Sequence, residues 1–280
     1  MITLFSCKIS VNKKAVVGAI LLLLIAGLAV FAPFITTHDP IDQNIRNRLQ
    51  PPGGDHLLGT DQFGRDIFSR IIYGARISLR VGFISVGIGM SFGCFMGIMG
   101  GYFGDPLDNI LMRIVDIMLA LPGFLLALAI IASLGPGINN LMIAVGISNI
   151  PVFARLMRSS VLTVMEKEYI QAARSLGSSD GSIIIKHVIP NSYNPIIVQA
   201  TLTMAGSILA AAGLSFLGLG VQPPTPEWGF MITSARQFIR VAHYTVTFSG
   251  LAIVITVLSL NLFGDGLRDI LDPKTMEHHK

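Results

Sequence analysis

Six apolar runs, each read as one membrane crossing, govern what this chain can fold into. They cover residues 15–35, 81–101, 114–134, 140–154, 196–220 and 244–263. A helix needs about 20 mostly apolar residues to cross the hydrocarbon core of a bilayer. Backbone groups find no water there, and a helix satisfies them within its own segment. The expectation is an all-α membrane protein with six transmembrane helices. Composition agrees: charged residues are 13% of the chain, against about 25% in soluble domains. Cys7 and Cys94 make no disulfide framework and are read as free thiols.

The first run follows Lys8, Lys13 and Lys14. It is longer than the apolar part of a signal peptide, about 7–15 residues, and it ends in Phe31-Ala32-Pro33-Phe34. It is read as an uncleaved anchor with residues 1–14 in the cytoplasm. An even number of crossings puts both ends on that side. Twelve of the 20 Lys and Arg then fall inside, the direction the positive-inside rule requires. These basic residues are scattered beside apolar runs, which argues against a nucleic-acid partner.

Residues 36–80 form an external stretch. Gly59 and Gly64 suit tight turns. Asp66 to Arg76 is expected to be a separate helix at the membrane interface, with Ile67, Ile71 and Ile72 on one side. Asp61, Arg65 and Asp66 are read as a salt-bridged loop in preference to a catalytic group. In the second run Gly89, Gly93, Gly97 and Gly101 recur every fourth residue, a face that lets another helix approach closely. Such a face suits either a sliding interface or static packing. Gly206 and Ala210 begin a similar small-residue face in the fifth run. Asp116 is expected to pair with Arg113, one helical turn earlier. Pro122-Gly123 should kink the third helix. The prolines at 223–226 exclude helix and mark an external loop, with Trp228 as an interfacial anchor. His278 and His279 are read as solvated tail residues. Residues 264–280 form a cytoplasmic tail, and residues 81–263 the core.

The polar island at 155–191 does not have the composition of a loop. Residues 166–176 are rich in helix formers, with no Gly or Pro. Gly177 breaks the helix, Ser178 to Asp180 offer caps for a second short one, and Pro190 limits it. A helix, a glycine break and a second helix make a compact projection suited to a partner protein.

The order Gln171-Ala172-Ala173, Gly177 and Ile189-Pro190 resembles the "EAA" signature of bacterial ABC-importer permeases. Two positions depart from it: the signature's Glu is Gln171 here, and His187 replaces an apolar residue. Residues 56–79 and 213–229 resemble the dipeptide/oligopeptide/nickel branch through Leu58-Gly59-Thr60-Asp61, Gly64-Arg65-Asp66 and Gly74-Ala75-Arg76. The resemblance implies the second (C-type) permease subunit with a type I importer fold. It implies a homologous second permease, two ABC ATPases that bind ATP and Mg, and an external solute-binding protein. Glu168, Gln171, Ala172, Ala173, Gly177, Ser178, Asp180, Ile184 and Pro190 would dock the ATPase. The implied cargo is di- or oligopeptide, with nickel or a metal-chelator complex as the alternative.

The chain holds no GxxxxGK[ST] phosphate loop and no HExxH helix. No catalytic or metal residue is assigned, and no cofactor is expected in this chain. A secondary carrier would call for internal repeats and buried charges for ion coupling; the runs show no repeat and few such charges. An intramembrane enzyme would rest on Asp116 and His243, with no second carboxylate at a supporting spacing.

Overall fold

The computed structural model describes residues 13–271. Cys7, His278 and His279 lie outside them. Among the described residues the chain is helical, without strands. Helix α1 is Lys13–Val30 and is followed by the short α2, Ala32–Ile35. Residues 36–66 are irregular apart from a 3₁₀ turn at Ile45–Asn47. Helix α3 then runs unbroken over Ile67–Phe103. The separate interfacial helix is therefore the first part of α3. No Gly-Pro punctuation divides residues 76–81, so nothing stops the helix at the expected boundary. At 37 residues it is about 55 Å long, well beyond one bilayer thickness.

Where a single third helix is expected, the chain forms a bent pair: α4, Leu107–Leu119, and α5, Gly123–Leu134, meet at 87°. Pro122 lies in this break with extended backbone. Helix α6, Ile138–Met165, carries Pro151 inside it. Next come α7, Glu168–Ser175, and α8, Asp180–Ile183. A widened π turn at Ile184–Val188 leads into α9, Ile189–Phe216. Residues 180–216 are thus one continuous helical rod. Pro190 does not end the second helix as expected. In the π turn the Ile189 amide donates to the Ile184 carbonyl, which widens the backbone just ahead of the proline ring. Asn191 Nδ2 donates to the His187 carbonyl at 2.6 Å, near the point where the proline supplies no N–H. The last elements are α10, Trp228–Ala235, and α11, His243–Leu271, which extends into the expected tail.

The packing centres on α3 against α6. A Cβ built on Gly89 would lie 2.6 Å from Asn149 Cβ. On Gly93 it would lie 2.6 Å from Phe153 Cβ, on Gly97 2.7 Å from Met157 Cβ, and on Gly101 3.0 Å from Val161 Cβ. Both helices step by four in the same sense, so they run parallel with the glycine face of α3 under one ridge of α6. Ser85 continues this face, donating from Oγ to the Met142 carbonyl at 3.1 Å. Gly206 differs: nothing lies within 4 Å of its Cβ position. Ala210 packs against the core that includes Leu141, Ala211 and Leu214, and with Gly206, Phe124, Leu209 and Phe216 it also lines an apolar cavity of about 490 Å³.

Two other expectations are corrected. Asp116 pairs with Arg155 of α6 at 2.7 Å, not with Arg113. Trp228 is 2% exposed, so protein rather than the lipid interface surrounds it. Its indole sits on Gly74, and Nε1 donates to the Ile71 carbonyl at 3.0 Å. A buried indole N–H needs such a partner. Nearby, Arg65 Nε meets Asp61 at 2.6 Å, and Arg70 donates to the Pro40 carbonyl at 2.7 Å. These contacts tie the 36–66 segment to the start of α3.

Candidate functional site

At the far end of α3 and α6 the chain builds the projection from residue 166 onward. The Lys167 backbone is extended, and α7 starts at Glu168. Ile170 and Ala173 face inward and join a core with Phe153, Met157, Val161 and Val164 of α6. Burial of these side chains, at about 25 cal/mol per Å² of apolar surface, holds an eight-residue helix that is too short to persist alone. Ala173 is thus buried in this core. Glu168, Gln171 and Ala172 lie on the exposed side.

Helix α7 ends in a Schellman turn. The Ser178 amide donates to the Ala173 carbonyl at 3.1 Å, and the Gly177 amide to the Arg174 carbonyl at 2.9 Å. Gly177 has φ +78°, a conformation costly to any residue with a Cβ. The turn thrusts Leu176 outward, 86% exposed. Ser178 is exposed beside it. Ser179 occupies the N-cap position of α8 but makes no side-chain cap bond. Asp180 is used differently: its Oδ1 accepts from the Tyr102 hydroxyl at 2.6 Å. Ile183 and Val188 return to the core, and half-buried Ile184 packs against it. Ile185 and Pro190 remain exposed.

Tyr102 did not stand out in the sequence, yet it anchors the projection. Besides bonding Asp180, its ring lies under the Arg174 guanidinium, 5.5 Å from the ring centroid. The end of α3 is thereby joined to both α7 and α8. Arg158 of α6 grips Asp108 of α4 with two hydrogen bonds, one from Nε to Oδ1 at 2.6 Å. A paired guanidinium–carboxylate contact fixes orientation as well as distance. The result is a rigid shelf. Its exposed face offers apolar and uncharged groups at Ala172, Leu176, Gly177, Ser178 and Ile185, edged by Glu168 and Lys186.

Residues 89–277 match the family model described as "binding-protein-dependent transport system inner membrane component". Residues 8–52 match the N-terminal transmembrane domain of oligopeptide transport permease C. The chain is 52% identical to the dipeptide transport system permease protein DppC of Alkalihalophilus pseudofirmus, over 94% of this chain and 86% of that protein. It is 48% identical to the di/tripeptide transport system permease protein DppC of Pseudomonas aeruginosa, over 94% and 89%. It is 45% identical to the glutathione transport system permease protein GsiD of Pectobacterium atrosepticum, over 93% and 87%. The fold resembles a chain of the MetNI methionine ABC transporter in an inward-facing conformation, with TM-score 0.58 and 19% identity, covering 72% of this chain and 96% of that one. With its bent and straight apolar helices arranged in the type I ABC-importer permease fold, this chain belongs to the inner-membrane components of binding-protein-dependent transport systems.

Proposed function

We propose that this permease subunit forms half of the path by which an ATP-driven importer moves short peptides. Its ATPase partners dock on the shelf at residues 166–190. The observation that carries the reading is the Schellman turn that presents Leu176 beside Gly177, on a base tied down by Tyr102 and the apolar core. A coupling element must be exposed enough to be gripped and stiff enough to pass on a displacement, and this one is both. The termini and the shelf then face the cytoplasm, and residues 36–66 face outward toward a solute-binding protein. A homologous permease completes the path, and ATP and Mg are held by the two ATPases. Short peptide is preferred to nickel or a metal-chelator complex, because relatives at 45–52% identity are named for dipeptides, di- and tripeptides and glutathione.

The test uses the assembled complex in vesicles, with ATP inside and labelled dipeptide with its binding protein outside. Leu176→Asp places a charge on the gripped surface without touching the core. It is expected to abolish ATP-driven uptake and ATPase co-purification while the chain still inserts and pairs with its partner permease. Uptake and co-purification at the parent level would refute docking at this shelf.

A further inference from the structure

We propose that His38, His56 and Asp66 form a binding site for one divalent transition-metal ion of the zinc class, on the opposite end of the molecule from the shelf. Nothing in the transport reading uses these three residues together. They are spread along the chain: His38 and His56 lie in the irregular segment 36–66, and Asp66 is the N-cap of α3. The fold gathers them so that one ligand atom from each lies within 4.8 Å of the others. His56 Nδ1 and Asp66 Oδ1 are 3.0 Å apart. Two ligand atoms at that separation, each about 2.1 Å from a metal, subtend about 90° at it. The rings of His38 and His56 have centroids 4.6 Å apart. His38 is exposed at the edge of the group, and closing the set around an ion requires its ring to turn toward the other two.

The supporting contacts are those of a ligand set. The other Asp66 oxygen, Oδ2, accepts from the Ser69 amide at 2.8 Å, which pins the carboxylate while leaving Oδ1 toward His56. His38 Nδ1 lies 2.9 Å from the Thr37 hydroxyl, leaving Nε2 for an ion. Hydrogen bonds of this kind orient first ligands. The neighbouring cations are engaged elsewhere: Arg65 and Arg70 approach Asp61 at 2.6 and 3.7 Å. Asp66 therefore has no arginine partner that would compete with a metal. His56 and Asp66 are buried, and the exposed His38 leaves the mouth open for entry and for a water ligand. Two imidazoles and one carboxylate suit zinc or its first-row neighbours, whereas Mg²⁺ and Ca²⁺ favour all-oxygen sets. Bound there, the ion would fasten the segment after α2 to the N-terminus of α3.

The test uses the full chain in lipid nanodiscs, washed with chelator, in a His278→Ala/His279→Ala background so that the tail contributes no ligand. Zn²⁺ and Co²⁺ are titrated as probes. One retained equivalent of Zn²⁺, visible Co²⁺ d–d bands and a raised thermal midpoint are expected. His38→Ala should weaken binding by at least about tenfold. Asp66 caps α3, so it is left intact; His38→Gln checks that the loss does not reflect a folding defect. Absence of stoichiometric binding in the parent, or equal affinity in the His38 variants, would overturn the site.

Discussion

Gly93 and Phe153 meet where α3 passes under α6: a Cβ built on the glycine would sit 2.6 Å from that of the phenylalanine and 2.6 Å from the Ile150 carbonyl oxygen. One neighbour is backbone and neither can swing aside. Gly93→Ala should therefore force the helices apart and destabilise the chain by about 1–3 kcal/mol. Gly206→Ala, whose Cβ meets nothing within 4 Å, should leave the isolated chain no less stable and add up to about 1 kcal/mol through helix propensity. Unfolding curves of both variants in detergent test the contrast, and equal losses would contradict it.

Tyr102→Phe removes the hydroxyl that Asp180 accepts. It keeps the ring under Arg174. The expected global loss is only about 1 kcal/mol, but the loss is local. Amide exchange across residues 168–183 should speed up while exchange in the middle of α6 stays unchanged. A uniform change along the whole chain would argue against a tether confined to the shelf.

Arg155 and Asp116 join α6 to α4 through an ion pair with both side chains more than half exposed, 57% and 52%. Exposed pairs contribute between about 0 and 1 kcal/mol. Asp116→Asn should accordingly cost no more than that, and less in high salt. A double-mutant cycle with Arg155→Gln gives the coupling directly. A coupling of several kcal/mol would mean that the pair is shielded in the assembled transporter.

Glu227 caps α10, accepting from the Gly229 and Phe230 amides at 2.9 and 2.8 Å. Burial pushes its carboxyl above the ordinary carboxylate range, and the two amides pull back part of that rise. The folded chain thus holds the proton more tightly than the unfolded chain does. The stabilisation is fully present below the unfolded value, about 4.3, and is lost as pH rises from there through the folded value. Glu227→Gln keeps an acceptor oxygen without the titration, so its thermal midpoint should fall less steeply over that window. A parent and variant with parallel pH profiles would exclude the shift.

The apolar helices were legible because lipid demands uniform apolarity over a fixed length, as in α1 and α11. The partners of polar residues were less so. Helical spacing pairs Asp116 with Arg113, but the bend at Pro122 and the approach of α6 give it Arg155, 39 positions away. Trp228 carries the composition of an interface anchor. Only the missing side chain at Gly74, far along the chain, makes the pocket that buries it. In the shelf, the Gly177 turn could be read from composition. Tyr102 could not, because a single tyrosine at a helix end carries no spacing signal. The passage of the helix through Pro190 depends on a widened turn that residue propensities do not encode.

That widened turn has a mechanical side. From Asp180 to Phe216 the backbone is a single stiff shaft, whose base is clasped by Tyr102 and whose tip borders the 490 Å³ cavity. A push at the base has no slack linker in which to dissipate. The five residues from Ile184 to Val188 are a widened turn of that shaft, and rewinding them to α geometry would turn everything above by a fraction of a revolution.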